Sequence, residues 1–181
     1  MRDIMVDIET LGTTAGSPIL SIAAIAFDAE TQAWGEEFQA NIDPATALAP
    51  GMAIDIKTVA WWMEQSEEAR SAAFTGTMPL RDALDGFAQL IKQHQPERVW
   101  AKPPSFDLVI LEAAYRAFGQ EAPWHYRTPR DMRTLTDFAI FTRKTTPSHI
   151  AIEDVRDQIG VVMECYARRA DLMDAAGVKL T

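Results

Sequence analysis

Residues 2–10, RDIMVDIET, place two acidic side chains inside an apolar run that is typical of a buried β-strand. Successive side chains of a strand point to opposite faces, so Asp7 and Glu9 share one face while Val6 and Ile8 share the other. Two neighbouring carboxylates repel each other, and burying them without a partner costs free energy. A bound cation would resolve this conflict.

The segments around this strand predict an α/β domain with a mixed sheet. Residues 19–30, ILSIAAIAFDAE, are an apolar run suited to a strand buried on both faces. Residues 32–43 alternate aromatic and polar side chains, which predicts a more exposed third strand. Residues 97–101, ERVWA, predict a short fourth strand.

Apolar residues at three- and four-residue spacing predict helices over residues 54–66, 79–94, 106–119, 130–143 and 152–177. Four residues of the first helix share one face and are expected to be buried: Ile56, Val59, Ala60 and Met63. We find no internal repeat and no linker, so residues 1–181 are expected to form a single domain with helices flanking the sheet.

The composition is that of an ordinary globular domain, with 48% hydrophobic and 24% charged residues in 181. The single cysteine, Cys165, excludes an internal disulfide and fits a reducing compartment. No signal peptide and no apolar run of about 20 residues are found. We therefore expect a cytoplasmic protein that does not contact a membrane.

The formal net charge of -9 argues against a general polyanion binder. An enzyme that acts on nucleic acid needs only a local positive track, and residues 127–144 hold five basic against two acidic side chains. Arg130 and Arg133 are the candidate phosphate contacts in this segment. The alternative is that they form surface or helix-cap ion pairs with Asp131.

Three further residues could join the two acidic side chains of the first strand. Asp107 lies near the start of a predicted helix, just after a strand. His149 and Asp154 are five residues apart around the start of the last helix; in one continuous helix they would be about 140° apart, so a shared site depends on where that helix begins. Asp107 and Asp154 could each instead only stabilise a helix N-terminus. Glu153 is the alternative to Asp154, and His149 could be an ordinary loop residue.

Four carboxylates and one histidine suit hard cations that prefer oxygen ligands, Mg²⁺ or Mn²⁺. Two such ions about 3.5–4 Å apart can activate a water and stabilise the leaving oxygen in phosphodiester hydrolysis. A histidine titrates near neutral pH, so His149 could act as the general base. The residues thus predict a metal-dependent phosphodiesterase chemistry.

Three segments resemble the exonuclease motifs of the DEDDh (DnaQ-like) 3'-5' exonuclease superfamily: VDIETLGT (6–13), WAKPPSFDLVIL (100–111) and HIAIEDVR (149–156). The middle segments TVAWWMEQSEEAR (58–70) and PRDMRTLTDF (129–138) are similar to small phage and bacterial exonucleases related to DexA and exonuclease VIII. The similarity covers roughly residues 3–170. The chain departs from the family pattern at Ile150, where asparagine is common, and at Pro103 and Pro104, but neither departure removes a ligand.

The resemblance implies an RNase H-like fold and removal of nucleoside 5'-monophosphates from the 3' end of single-stranded or 3'-overhanging RNA or DNA. It implies two Mg²⁺ or Mn²⁺ ions, with His149 as the base and four metal-binding carboxylates: Asp7, Glu9, Asp107 and Asp154. Asp7 is expected to bridge both ions. The terminal nucleotide is expected to contact Thr10, Leu11, Gly12 and Ser105, with Leu11 wedged against its base.

Trp61 is predicted to point away from the core, where it could stack on a base. A subunit interface, and hence a homodimer, would explain an exposed tryptophan equally well. At the level of function, the alternative is a catalytically weak nucleic-acid-binding or docking domain on the same fold. A metal-dependent phosphatase fits the strand–helix order poorly. The choice between RNA and DNA stays open, because no residue identifies a contact to the 2'-OH.

Overall fold

A computed structural model describes residues 1–138 and 147–175. Its single sheet has five strands: β1 (Asp3–Thr10), β2 (Ile19–Asp28), β3 (Ala33–Asn41), β4 (Arg98–Ala101) and β5 (Pro129–Asp131). Their order across the sheet is β3-β2-β1-β4-β5. β1 pairs antiparallel with β2 and parallel with β4, so the sheet is mixed, as predicted.

The described part of the chain forms six helices: α1 (Ile56–Met63), α2 (Glu67–Phe74), α3 (Leu80–His94), α4 (Pro104–Ala117), α5 (Met132–Phe138) and α6 (Ala151–Ala175). Asp55 and Ser66 accept backbone N–H groups at the starts of α1 and α2, which satisfies otherwise unpaired donors. Gly119 adopts a positive φ just after α4, as expected for a helix C-terminus. The remainder of the predicted helix 130–143, and Gly177, lie outside the described residues.

The two faces of β1 belong to two different layers of packing. Ile4, Val6 and Ile8 join the larger core under α3 and α4, whereas Met5 packs with Val155 of α6 on the opposite face. The alternation that buries the aliphatic residues therefore turns the odd-numbered positions of β1 toward α6. Among the described residues, no helix is both long and apolar enough to cross a membrane.

A buried ion pair fastens β1 to β4. The Asp3 side chain is fully buried, and it accepts hydrogen bonds from the Arg98 guanidinium (Nε, 2.5 Å) and from the Trp100 indole (2.8 Å). Both donors come from β4, so the pair fixes the parallel register Asp3↔Arg98. β4 pairs only with residues 3–5 of β1, which leaves the carboxyl half of β1 open on that side.

The predicted buried stripe of α1 is wrong except at Val59, which is partly buried against the cluster that contains Trp62. Ile56 and Met63 are each 74% exposed and Ala60 is also exposed, while Trp62 is almost fully buried. The Trp62 indole N–H donates to the Thr10 carbonyl oxygen (2.9 Å), so α1 turns this large side chain inward. Burying one tryptophan with its N–H paired outweighs burying smaller side chains on the neighbouring face of a two-turn helix.

Two further elements differ from the sequence prediction. Arg130 and Asp131 belong to β5, and the helix predicted from residue 130 begins at Met132. A three-residue edge strand carries too little alternation to be seen in the sequence; its pairing with β4 defines it. The segment after α1 forms a separate helix, α2, which the sequence did not predict.

Candidate active site

A cavity of about 590 Å³ opens where the carboxyl half of β1 extends beyond its pairing with β4. α1, α4 and α6 contribute the surrounding walls. The five residues predicted to be catalytic all line this cavity: Asp7, Glu9, Asp107, His149 and Asp154. The fold thus brings together residues that are up to 147 positions apart in the chain.

Asp7 and Glu9 stand on the face of β1 that is turned toward α6. Glu9 is buried and Asp7 is partly exposed to the cavity. Gln158 of α6 donates a hydrogen bond from its amide Nε2 to Oδ1 of Asp7 at 2.9 Å. The strand periodicity therefore places both carboxylates where α6 can also supply ligands.

Asp107 enters the cavity from the first turn of α4. Its side chain is only 2% exposed, and its Oδ1 accepts the backbone N–H of Ile8 at 3.1 Å. Pro104 occupies the first turn of the same helix, where its missing N–H costs nothing. The carboxylate therefore ties the start of α4 to the central strand.

Asp154 folds the chain that precedes α6 back over the start of that helix. Its carboxylate accepts the backbone N–H groups of Ser148 (2.8 Å) and His149 (3.1 Å). Because α6 begins at Ala151, His149 lies in the loop before the helix, with a φ of 58°. Its position relative to Asp154 is therefore not fixed by helical periodicity. Ligand atoms of Glu9, His149 and Asp154 all lie within 4.8 Å of one another. Glu153, the competing choice, is exposed to solvent.

Burial and mutual repulsion raise the pKa values of the carboxyl groups. Burial raises the pKa of Glu9 to about 9, with the charges of Asp7, Asp154 and Asp107 adding to the effect. Burial also raises the pKa of Asp7 to about 7, against the Gln158 hydrogen bond and the Lys102 charge, which lower it. The pKa of Asp107 is raised well above its usual value by burial and by Asp7.

Such a set of oxygen ligands fits a divalent cation. A cation bound among these carboxylates would supply the charge that their surroundings lack, and their oxygens are the donors that Mg²⁺ and Mn²⁺ prefer. Asp7, Glu9, Asp107 and Asp154 are the residues that could hold it.

One of the two tryptophans of α1, Trp61, lies beside the histidine. The Trp61 ring meets His149 edge to face, with centroids 4.8 Å apart at 89°, and contacts Trp62 at 5.0 Å. Trp61 is 38% exposed and lines the cavity, whereas Trp62 packs under Leu11 and Leu20. Trp62 therefore serves packing, and the role of Trp61 in binding stays a prediction.

The segment after Glu9 contributes Thr10 and Thr13 to the cavity. Leu11 is buried; its N–H donates to the Pro18 carbonyl oxygen and its own carbonyl accepts the Asp55 N–H. A Cβ on Gly12 would lie 2.5 Å from Ser17 Oγ, so glycine is needed here for close packing. The nucleotide-binding roles of Thr10, Leu11 and Gly12 remain predictions.

The other predicted contacts lie in different surroundings. Arg133 lines the cavity, whereas the Arg130 guanidinium donates to the carbonyl oxygens of Arg127 and Pro129. Asp131 accepts the Arg133 backbone N–H at the start of α5, a contact that does not involve the arginine guanidinium. Ser105 lines a separate groove.

Sequence reasoning missed several polar residues of the cavity: Lys102, Gln158, Asp55 and Thr58. Gln158 could have been found, because it follows Asp154 by four residues and so shares its helix face. Lys102 lies inside the second motif, between β4 and α4. Asp55 and Thr58 carried no sequence signal, because their position depends on how α1 is turned.

The mixed sheet, its flanking helices and the carboxylate cavity match the RNase H-like fold of the DEDDh superfamily. The sequence profile of the 3'-5' exoribonuclease Rv2179c-like domain matches residues 2–166, so this chain belongs to that family. The predicted superfamily and the RNase H-like fold class are confirmed. The more specific likeness to DexA and exonuclease VIII stays a prediction. No curated protein is similar enough in sequence to count as a match.

Solved structures share the fold at low sequence identity. E. coli exonuclease I in complex with a dT13 oligonucleotide has a TM-score of 0.69 and 16% identity over 96% of this chain and 42% of its own. The nuclease domain of 3'hExo, a DEDDh family member bound to rAMP, has a TM-score of 0.53 and 10% identity over 99% and 96%. This chain therefore spans less than half the length of exonuclease I.

Proposed function

We propose that this chain is a metal-dependent 3'-5' exonuclease that hydrolyses single-stranded RNA from its 3' end to nucleoside 5'-monophosphates. The observation that carries the proposal is the convergence of four carboxylates from β1, α4 and α6, together with His149, on one cavity. A domain that only binds nucleic acid gains nothing from burying repelling acids, because their desolvation lowers stability.

Asp7, Glu9, Asp107 and Asp154 would hold two Mg²⁺ or Mn²⁺ ions. Two ions in such a site lower the pKa of a water and stabilise negative charge on the leaving oxygen. The choice between Mg²⁺ and Mn²⁺ is part of the test below.

His149 takes the proton of the attacking water in the proposed reaction. The water oxygen forms a bond to the terminal phosphorus, the bond from phosphorus to the 3' oxygen of the preceding nucleotide breaks, and that oxygen gains a proton. The Asp154 carboxylate accepts the backbone N–H of His149 and so positions this residue, while Trp61 packs against the His149 imidazole. The products are a nucleoside 5'-monophosphate and a chain with a new 3'-OH.

RNA is the proposed substrate because the family to which the chain belongs is described as an exoribonuclease family. The structural neighbours were solved with both chemistries, exonuclease I with dT13 and 3'hExo with rAMP, so DNA has to be compared directly. Cytoplasmic location and a homodimer remain predictions from the sequence.

The test is digestion of 5'-labelled single- and double-stranded RNA and DNA, with Mg²⁺, Mn²⁺ or EDTA, by the wild type and by two matched variants. Asp154→Asn removes a proposed ligand, while Glu153→Gln makes the same kind of change at an exposed neighbour. We expect a 3'-shortened ladder on RNA that EDTA and Asp154→Asn abolish and Glu153→Gln preserves. Full activity in Asp154→Asn would contradict the proposal. So would a wild type that binds RNA without shortening it.

A further inference from the structure

Gln158 is a buried polar residue at the wall of the cavity between α6 and β1. It follows Asp154 by one helical turn, and its side chain is only 4% exposed. Its neighbours on α6, Val155, Ile159 and Val162, all belong to the apolar core against the sheet. An amide at this position has to be explained, because burying one is unfavourable unless its hydrogen bonds are made.

The two ends of the Gln158 amide differ in their contacts. Nε2 donates to Oδ1 of Asp7 at 2.9 Å, whereas Oε1 accepts no hydrogen bond from the part of the chain that the structure describes. Gln158 lines the same cavity as the carboxylates. A buried acceptor beside a set of cation ligands suits a donor that arrives with a bound ligand, such as a water.

The donated hydrogen bond restrains the carboxylate that is expected to bridge two ions. It engages one oxygen of Asp7, which limits rotation of the carboxylate and leaves the second oxygen available. It also links β1 to the helix that carries Asp154, so two ligands from distant parts of the chain are held in one arrangement. Hydrogen-bond partners of metal ligands commonly set ligand orientation in this way.

We propose that Gln158 is a positioning residue of the metal centre, which orients Asp7 through its amide N–H and accepts a hydrogen bond from a cavity water through Oε1. The inference rests on the proposed function, because it assigns Gln158 to the cation site of that enzyme. A purely structural role would require only that the amide fill space and fasten α6 to β1.

The chain provides a matched control in Gln120. Its Nε2 donates to Oδ1 of Asp85 at 3.1 Å, and its Oε1 likewise has no partner among the described residues. Asp85 belongs to α3 and does not line the cavity. Gln120→Met therefore removes the same kind of glutamine–aspartate hydrogen bond without touching the cation ligands.

The experiment measures Mn²⁺ affinity by titration calorimetry on the full chain, for the wild type, Gln158→Met, Gln158→Asn and Gln120→Met. Methionine keeps the length of the side chain without its polar atoms, and asparagine keeps the amide but is one methylene shorter. We expect both Gln158 variants to lose about 10- to 100-fold in Mn²⁺ affinity. Gln120→Met should stay within about twofold of the wild type, and circular dichroism establishes that each variant is folded.

The outcomes separate this inference from the proposed function. Mn²⁺ affinity within about twofold of the wild type in a folded Gln158 variant, with RNA hydrolysis intact in the wild type, overturns the role of Gln158 alone. A wild type that binds no Mn²⁺ overturns the metal-dependent function and this inference with it. If Gln158→Met does not fold, Gln158→Asn decides. An equal loss in Gln120→Met would assign the effect to general destabilisation and contradict the proposal.

Discussion

The Trp61 indole meets the His149 imidazole edge to face, with ring centroids 4.8 Å apart and planes at 89°. The backbone N–H of His149 is held at the same time by the Asp154 carboxylate at 3.1 Å. A histidine with a positive φ in a loop is thus fixed at both its main chain and its ring. α1, whose sequence suggests an ordinary packing helix, supplies one half of this support.

We predict that Trp61→Ala lowers the kcat of RNA hydrolysis by up to about tenfold. Aromatic edge-to-face pairs contribute roughly 0.5–1.5 kcal/mol, and each ~1.4 kcal/mol of lost transition-state stabilisation costs a factor of ten in rate. Trp61→Phe keeps an aromatic edge and should retain most of the activity. Single-turnover kinetics on a 5'-labelled RNA measure the chemical step directly.

The control for this prediction is Trp34→Ala. Trp34 is an exposed tryptophan of β3 that does not line the cavity, so its removal should leave kcat unchanged. Equal rates in Trp61→Ala and the wild type would show that the histidine does not need this contact.

The raised carboxyl pKa values predict that the metal-free protein loses stability as the pH rises. Glu9 has a pKa of about 9 in the folded chain against an ordinary 4.5, and Asp7 about 7 against 3.8. Between the ordinary pKa of each group and its raised pKa in the folded chain, the folded state binds more protons than the unfolded state. The free energy of unfolding therefore decreases with increasing pH. Thermal unfolding in EDTA from pH 5 to pH 9 should show a falling Tm.

Glu9→Gln serves as the reference for this pH dependence. The amide cannot ionise, so the fall in Tm between pH 5 and pH 9 should become shallower in this variant. Added Mn²⁺ should raise Tm more at pH 8 than at pH 5, because fewer protons have to leave the ligands. A wild-type Tm that rises with pH in EDTA would refute the electrostatic description of the site.

Asp3 and Asp107 are both buried acids, yet substitution is predicted to change stability in opposite directions. Asp107 faces other carboxylates, so Asp107→Asn should raise the Tm of the metal-free protein while lowering activity at least about 100-fold. Asp3 is paired with Arg98, so Asp3→Asn should lower the free energy of unfolding by about 1–3 kcal/mol, because the partly buried guanidinium would keep only its longer contact with Glu30 at 3.6 Å. Chemical denaturation in EDTA compares the two. Destabilisation by both variants would mean that Asp107 is not held at an energetic cost.

The sequence was sufficient where a local period determined the position of a residue. The strand alternation of β1 placed Asp7 and Glu9 on one face, and the first turn of α4 placed Asp107. The positions of His149 and Asp154 depend in addition on where α6 begins. It begins at Ala151, and His149 lies before it with a positive φ.

The sequence was insufficient where long-range contacts decide. The rotation of α1 is fixed by the hydrogen bond from Trp62 to the Thr10 carbonyl, 52 residues away, and periodicity alone favoured a different face. β5 is defined by its parallel pairing with β4 at the edge of the sheet, which involves three residues of each strand. Helix periodicity places Gln158 on the same face as Asp154, but its hydrogen bond to Asp7 joins residues 151 positions apart and is visible only in the fold.

The two arginines of the predicted phosphate track should respond differently to substitution. Arg133 lines the cavity, whereas the Arg130 guanidinium is engaged by the carbonyl oxygens of Arg127 and Pro129. In an Asp154→Asn background that binds RNA without cutting it, Arg133→Ala should weaken binding of all RNA sequences alike. It should also reduce the slope of log Kd against log salt by about 0.7, the value for one phosphate contact on a single strand. Arg130→Ala should leave that slope unchanged, because its charge serves the loop before β5. Equal slopes for both variants and the parent, measured by fluorescence anisotropy from 50 to about 300 mM salt, would remove Arg133 from the RNA path.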